Sequence, residues 1–409
     1  MDLILIGKRA LAVLLGILLG SAAPLGAQTP IVITLTGQSM IRSDLRASAP
    51  DAVAKIQPLL KGDVIFTNLE GTVAQSGQSV REGRGFLTPP ESLDALRALG
   101  FNLLALSDNH AFDLQQTGIG NTLREADRRG FVHAGTGQDL KQAAAPAYLH
   151  AHGVTIGLVA SASGLIAAGG RAGPAQPGVN ELRIQAGDRL NEATEDLPGA
   201  TGNTPNSEDA ERILQSIREA KQHADLVIVY QHNHVFGTKA FVTLFSEGMA
   251  ERLSPNEWLI KWTHAEVDAG ADVVVMHGAP LLHGIEIYRA RPIFYDLGNF
   301  IYNVPPTLTY IDEPMAWESV VAQLQFKGNV PQSITLYPIA LNPIGDGQPD
   351  VHDPYASNEF LRTRGLPSSA AGAKAHYILD RVRQLSQPFG TDILEQGEVG
   401  RIALTRPPP

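Results

Sequence analysis

Four short apolar segments of the chain each run directly into polar side chains, and this pattern constrains the fold most. The segments read DVIFTNLE, NLLALSDNH, DLVIVYQHNH and ADVVVMHG, and each has the composition of a buried strand. Segments with helical spacing lie between them, among them PPESLDALRALG and SEDAERILQSIREA. Strands that alternate with helices predict an α/β fold.

The polar residues at these four strand ends form the candidate site. They are Glu70, Asn109, His110, His232, His234 and His277. Ligands of open α/β sheets collect at the carboxyl ends of strands, so we expect these side chains to converge. Carboxylate, amide and imidazole donors on rigid supports suit a hydrolytic Zn, Mn or Fe site better than a Ca site. A lone strand-end histidine is usually a hydrogen-bonded structural residue, so the prediction depends on the four ends together.

The first 27 residues have the composition of a cleavable signal peptide. Lys8 and Arg9 precede an apolar stretch at residues 10–23, and small residues lead to a predicted cleavage after Ala27. The apolar stretch is short for a bilayer span. We therefore expect a periplasmic or secreted protein without a membrane span after cleavage, and an uncleaved N-terminal anchor is the alternative.

Charge and cysteine content exclude several classes of function. The net charge of the 409-residue chain is −10, which opposes binding to nucleic acid. The chain has no cysteine, so disulfides, thiolate metal ligands and a lipid anchor on cysteine are excluded. A negative field also repels anionic substrates, so an anion-binding site would have to be local.

Four arginines flank the first polar strand ends and are candidates for that local site. They are Arg42, Arg46, Arg81 and Arg84. Guanidinium groups bind carboxylates and phosphates through paired hydrogen bonds, so these residues are candidate substrate contacts, Arg42 and Arg84 above all. A solvated surface is the alternative for each arginine taken singly.

The chain is expected to form one large domain at residues 28–342, followed by an extension at residues 343–409. Residues 164–208 are rich in Gly and Pro with little periodicity, which predicts a long loop or insertion. The extension contains a single predicted helix near residues 373–385.

Five segments also match the motif series of one known family. DVIFTNLEGTV resembles an Asn-Leu-Glu segment, LSDNHAFD an Asn-Asn-His-Ala-x-Asp segment, and VYQHNH stands in the place of His-Trp-Gly. VMHGAPLLHG and FYDLGNF resemble Gly-His-His-Pro-His and Ser-Leu-Gly-Asn-Phe segments. On residues 31–338 the chain thus resembles the CapA family of bacterial capsule and poly-γ-glutamate synthesis proteins. The resemblance implies a calcineurin-like metallophosphoesterase fold, a four-layer α/β-β/α sandwich of two mixed sheets covered by helices.

The resemblance also implies a divalent metal site and identifies where this chain departs from the family. The implied ligands of one metal are Glu70, Asn109, His232 and His277. Two ligands of a second metal are replaced here by Gln38 and Pro280. We therefore expect one metal, or two with His234 and His283 as substitute ligands. The alternatives are that both histidines only bind the loops by hydrogen bonds, or that no metal binds.

Other site residues follow from the same resemblance. His110 would stabilise charge or protonate a leaving group, and Asp113 would orient its ring or else cap the following turn. Gln38 becomes a candidate substrate contact, and Asp108 stands where the family often has Asn or Gly. Asn299 in DLGNF is expected to form a turn, and a role as a site residue is the alternative.

We expect a metal-dependent hydrolase or transferase that acts on a carboxylate-rich polymer such as poly-γ-glutamate, with envelope or capsule assembly proteins as partners. The retained ligands favour this enzyme. Gln38 and Pro280 favour the first alternative, a non-catalytic envelope factor that binds polymer through a decayed metal site. The second alternative is a phosphoesterase with a small exported substrate.

Overall fold

The computed structural model describes residues 30–79, 85–186, 189–190, 203–235, 254–304, 314–345, 363–402 and 404. Its strands are β1 (Ile31–Leu35), β2 (Gln38–Met40), β3 (Val64–Asn68), β4 (Thr72–Val73), β5 (Leu87–Thr88), β6 (Leu103–Ala105), β7 (Val132–Ala134), β8 (Thr136–Gly137), β9 (Ala147–Ala151), β10 (Val154–Ser163), β11 (Gly178–Val179), β12 (Ile184–Ala186), β13 (Arg189–Leu190), β14 (Asn203–Pro205), β15 (Leu226–Asn233), β16 (Val273–His277), β17 (Ile285–Tyr288), β18 (Arg291–Phe294), β19 (Asn299–Tyr302), β20 (Glu318–Lys327), β21 (Val330–Leu341), β22 (Pro367–Ser369), β23 (Ile393–Gln396) and β24 (Val399–Ile402).

The α-helices are α1 (Leu45–Ser48), α2 (Pro50–Ile56), α3 (Glu91–Leu99), α4 (Gln115–Arg128), α5 (Leu140–Ala144), α6 (Ser207–His223), α7 (Glu257–Ala269) and α8 (Ala373–Ser386). Short 3-10 helices cover Gln57–Leu59, Pro314–Trp317 and Gln387–Phe389. The helices and strands alternate through the first half of the chain, as the sequence pattern predicts.

Two mixed sheets form the centre of the fold. The first has the order β23-β24-β21-β20-β1-β3-β6-β7, with β22 added on β21, and the second has the order β17-β18-β16-β15-β10-β9. The first sheet is parallel from β1 to β7 and antiparallel at β20, and the second is parallel from β10 to β18 with antiparallel edges.

Alternation of side chains along each strand explains the layers. In β3, Val64 and Phe66 lie in the apolar cluster that the two sheets share, whereas Ile65 packs with the helices outside the first sheet. In β15, Ile228 faces the shared cluster and Val229 packs against the helices outside the second sheet. The predicted four-layer α/β-β/α sandwich is therefore confirmed.

The C-terminal region contributes to this sandwich. The predicted helix at residues 373–385 is α8, and Ile378, Leu379 and Val382 on it belong to the cluster between the sheets. Its Arg381 contacts the buried carboxylate of Glu318 at 2.7 Å. Besides the predicted helix, the region supplies β22, β23 and β24, and β24 pairs with β21 in the first sheet.

The predicted loop at residues 164–208 is partly ordered. It contains β11, β12 and β14, while residues 187–188 and 191–202 of the loop lie outside the described residues. The N-cap of α6 is Asn206, whose side chain accepts from the Asp209 N–H. Three arginines contact the fully buried Asp209 at 2.6 to 2.7 Å, namely Arg171, Arg183 and Arg212. The pairs made by Arg171 and Arg183 connect the described part of the loop to α6.

Residues 1–29, which include the predicted signal peptide, lie outside the described residues. Among the helices that are described, none combines the length and the apolar character needed to cross a bilayer.

We predict that Glu266 makes the fold less stable as the pH rises. Burial raises the pKa of this α7 carboxyl to about 8, and the Trp262 indole opposes the shift only in part. Because the folded-state pKa lies above the ordinary value of 4.5, the stability from the bound proton is complete below that value and is lost as pH rises through about 8. Glu266→Gln should raise the Tm at pH 8 by about 2 °C or more and leave it nearly unchanged at pH 4.5.

The matched control is Glu257→Gln on the same helix, because the Glu257 side chain is 78% exposed. Thermal melts of the three proteins across this pH range check the prediction. The prediction would be contradicted if the change in Tm with pH were the same for Glu257→Gln as for Glu266→Gln.

Candidate metal centre

The four polar strand ends face one another across the two sheets. His232 and His277 are direct register partners on β15 and β16 of the second sheet. Glu70 follows β3 of the first sheet, where its backbone N–H donates to the Ser39 carbonyl at 3.1 Å. Asn109 lies in the turn after β6, the neighbour of β3. The predicted convergence of strand ends thus holds in the described chain.

The His232 imidazole is the centre of a tight donor cluster. Its Nε2 atom lies 2.9 Å from Asn109 Oδ1 and 3.0 Å from His234 Nε2. The same atom lies 3.8 Å from Glu70 Oε1. Ligand atoms of Glu70, His232 and His234 all lie within 4.8 Å of one another, and all three side chains are buried. Four of the six predicted metal ligands therefore come together.

The other two predicted ligands lie outside this cluster. No group of three potential His, Asp or Glu ligands in the described chain includes His277 or His283. His277 is adjacent to the cluster, since it pairs with His232 and packs against the Tyr230 ring at 5.4 Å. The backbone N–H of His283 donates to the Asp296 carbonyl at 3.0 Å. Of the two histidines considered as substitute ligands, His234 belongs to the cluster and His283 does not.

The protonation states of the cluster suit a cation. Burial holds the pKa of His232 well below its usual range, and it lowers the pKa of His234 to about 3. Both imidazoles are therefore neutral, which is the form that binds metals. Burial also raises the pKa of Glu70 to about 7, which the positive charge of His110 only partly opposes.

Unsatisfied buried atoms provide a separate test of whether a metal fits. Within the described chain, Glu70 Oε2 and both ring nitrogens of His277 are buried and make no hydrogen bond of normal geometry, although the Thr36 backbone lies near the His277 ring. Buried polar atoms are normally satisfied, so these positions call for a ligand. One carboxylate, one amide oxygen and two or three imidazoles form a donor set of the kind that holds Zn, Mn or Fe. The residues present therefore fit a divalent metal.

His110 and Asp113 form a hydrogen-bonded pair at the edge of the cluster. His110 Nδ1 lies 2.8 Å from Asp113 Oδ2, and that carboxylate also accepts the Phe86 N–H at 2.5 Å. Burial alone would lower the pKa of His110, but the charge and hydrogen bond of Asp113, together with the charges of Glu70 and Asp108, outweigh it and raise the pKa to about 9. His110 is 27% exposed, so a protonated imidazole faces the opening of the site.

The Asp108 carboxylate accepts hydrogen bonds from its own turn and from Asn68. Its Oδ1 atom accepts the backbone N–H of His110 at 2.9 Å, and its Oδ2 atom accepts from Asn68 Nδ2 at 3.4 Å. The side chain thus holds the turn that carries Asn109 and His110.

The two positions that depart from the family lie close together. The Gln38 N–H donates to the Gly298 carbonyl at 3.0 Å, and Gln38 pairs with Asn299 between β2 and β19. The Asn299 side-chain amide donates to the carbonyls of Ala316 at 2.9 Å and Pro280 at 3.4 Å. Asn299 is therefore the first residue of β19 rather than part of a turn, and its amide connects the segments of Pro280 and Ala316.

Asp296 and Tyr230 are two buried polar residues that the sequence analysis missed. Asp296 Oδ2 accepts the Ala279 N–H at 2.8 Å and Oδ1 accepts the Gly298 N–H at 2.6 Å, so the carboxylate joins two site loops. The Tyr230 hydroxyl lies 3.1 Å from His232 Nδ1. Asp296 could have been found as one more carboxylate after an apolar strand, and Tyr230 by its place two residues before His232.

The four arginines that were predicted as substrate contacts have different outcomes. The Arg42 guanidinium lies 4.3 Å from the centre of the Phe86 ring, which is 6.3 Å from the His110 ring. A cleft of about 560 Å³ opens there, lined by Arg42, Gln75, Ser76, Gln78, Pro90 and Glu91 among others. Arg46 instead pairs with Asp44 at 2.8 Å. Arg81 and Arg84 lie outside the described residues.

Comparisons with known proteins agree with the motif series. The profile of a family described as "Bacterial capsule synthesis protein PGA_cap" matches residues 32–304. An uncharacterised protein, y4sH of Sinorhizobium fredii, is 30% identical over 85% of this chain and 87% of its own length. The "PGA biosynthesis protein CapA" of Bacillus subtilis is 28% identical over 62% of this chain and 55% of its own length.

A solved structure was also found, that of a hypothetical protein from Thermus thermophilus. It is 14% identical and covers 75% of this chain and 98% of its own, with a TM-score of 0.41.

We predict that the cluster around His232 binds about one divalent metal per chain. His232→Ala and His234→Ala should each remove most of that metal, because each deletes an imidazole from the cluster. Elemental mass spectrometry of protein purified without chelator, and again after loading with Zn²⁺ or Mn²⁺, measures the stoichiometry.

His150→Ala is the matched control, because His150 is an exposed histidine on β9. His283→Ala distinguishes the two substitute ligands and should keep its metal. A wild-type protein that cannot be loaded would contradict the prediction.

Proposed function

The chain belongs to the family of bacterial capsule synthesis proteins, and on this basis we propose that it is an exported, metal-dependent hydrolase or transferase of a carboxylate-rich polymer. A relative in Bacillus subtilis carries the name PGA biosynthesis protein, which supports a polymer of the poly-γ-glutamate type. Export is supported by the signal-like composition of the first 27 residues.

One observation carries the catalytic part of the proposal. Glu70, His232 and His234 lie beside His110. Both imidazoles of the cluster are neutral and the pKa of Glu70 is raised to about 7, whereas a pKa of about 9 keeps His110 protonated near neutral pH. A metal-binding group and an acid with opposite protonation preferences in one site are typical of acid-base catalysis.

The residues of the chain divide the chemistry between them. Glu70, Asn109, His232 and His234 would hold the metal, which supplies Lewis acidity to a scissile carbonyl or phosphoryl group when bound. Asp113 binds His110 Nδ1 and so leaves Nε2 to donate a proton to the leaving group. The Phe86 N–H fixes Asp113 in this orientation.

Substrate recognition is assigned to the cleft at Arg42. Arg42 and the amide side chains of Gln75 and Gln78 line it, and these groups can bind the carboxylates of a polymer. The cleft volume of about 560 Å³ is sufficient for a polymer segment rather than a single ion.

A non-catalytic polymer-binding factor is the second candidate. It is favoured by the contacts at Gln38 and Pro280, the two positions where the family has charged or imidazole ligands. Asn299 pairs with Gln38 in the sheet, and its side-chain amide donates to the Pro280 carbonyl. The experiment that separates the candidates incubates the metal-loaded protein with poly-γ-glutamate. New amine ends support the hydrolase, polymer binding without new ends supports the factor, and phosphate release from phosphoesters would point to a phosphoesterase.

We predict that the activity falls as pH rises through about 9, where His110 loses its proton. Asp113→Asn removes the negative charge that raises this pKa, so the alkaline limit should move toward the ordinary histidine value of 6.5. The pH profile of kcat, measured by amine release, checks this shift.

Asp127→Asn is the matched control, since Asp127 bonds another histidine, His133, at 2.9 Å. It should leave the profile in place. If the limit does not move in Asp113→Asn while activity persists, His110 is not the acid.

A further inference from the structure

Tyr230 lies at a position where a phenylalanine would satisfy packing alone. It is fully buried on β15, and its ring packs with Phe66 at 5.6 Å and with His277 at 5.4 Å. Leu226 and Ile228 face the same apolar cluster between the sheets. A hydroxyl in such surroundings is unfavourable unless it is hydrogen-bonded.

The hydroxyl has one hydrogen-bond partner in the described chain. The Tyr230 oxygen lies 3.1 Å from His232 Nδ1. Residues two apart on a strand share a face, so the phenol reaches its partner along the strand. The opposite ring nitrogen, Nε2, is the atom that lies 2.9 Å from Asn109 Oδ1 and 3.0 Å from His234 Nε2.

The Tyr230 hydroxyl is compatible with the His232 tautomer that binds a metal through Nε2. A phenol oxygen can accept the proton of Nδ1–H, and Nε2 then presents a lone pair to the cluster. Groups that bind the outer nitrogen of a ligating histidine commonly fix its orientation and its basicity. The same phenol ring is in contact with His277, so a single side chain limits the movement of two imidazoles.

We propose that Tyr230 is a positioning residue, which directs His232 Nε2 and the His277 ring toward one divalent cation. The inference rests on the metal centre of the proposed function. It adds a positioning contact that acts through His232. A hydroxyl makes this contact, rather than a carboxylate or a backbone carbonyl.

The test compares Tyr230→Phe with Tyr295→Phe, because each variant removes only a hydroxyl. Tyr295 is a buried tyrosine that binds Glu286 at 2.6 Å, and its hydroxyl has no contact with the cluster in the described chain. The affinity for Zn²⁺ is measured by competition with a chromophoric chelator. The visible spectrum of the Co²⁺ form and the Tm of the metal-free protein are recorded beside it.

We expect Tyr230→Phe to bind Zn²⁺ about 10- to 100-fold more weakly and to change the Co²⁺ spectrum. Tyr295→Phe should keep the wild-type affinity and spectrum. A loss of fold stability in either variant would appear as a lower Tm of its metal-free form. The melts therefore distinguish a loss of stability from a loss of metal positioning.

Two results would overturn the inference, and they differ in what else they overturn. If Tyr230→Phe binds Zn²⁺ like the wild type with an unchanged Co²⁺ spectrum, Tyr230 has only a packing role and the proposed function stands. If the wild type binds neither ion, the metal centre of the proposed function fails as well.

Discussion

The alternation of side chains along β15 is the constraint on which the centre depends. Every second residue of this strand faces the space between the two sheets, and that space is filled by apolar side chains until Tyr230. The next residue on that face is His232, which lies where the strand ends and meets Glu70 and Asn109 from the first sheet. A shift of one residue in the strand register would turn both polar side chains away from the cluster.

The chain treats its buried carboxylates in two ways. Asp209 is surrounded by three arginines, and Glu318 is bound by Lys374 and Arg381, so each of these acids has a cationic partner. Glu70, Asp108 and Asp296 have no lysine or arginine partner in the described chain, and burial raises the pKa of each. An unpaired buried carboxylate is unfavourable. Glu266 on α7 is a single acid of this kind, whereas Glu70 interacts with both Asp108 and Asp296, so the centre is where a bound cation would be stabilised most.

The sequence predicts the elements that follow simple periodicity. The strands ending near Glu70, Asn109, His232 and His277 and the C-terminal helix lie where their patterns indicate. The strands β22 to β24 were not predicted, because each has at most four residues and depends on the free edge of β21.

The site could be predicted only as far as local spacing reaches. Tyr230 resembles an ordinary core residue in sequence, and its polar role appears only when the hydroxyl is placed beside His232. The separation of His283 from the cluster depends on a loop whose path is fixed by Asp296, a long-range contact that no local pattern contains.

The position of β20 shows that the first sheet extends beyond the segment that the family profile matches. The family match ends at residue 304, yet β20 (Glu318–Lys327) lies between β1 and β21 in the middle of the first sheet. β1, the first strand of the matched segment, obtains one of its two neighbours from beyond that segment. The segment that the family profile matches is therefore smaller than the sheet to which it belongs, and within that segment β1 lacks its β20 neighbour.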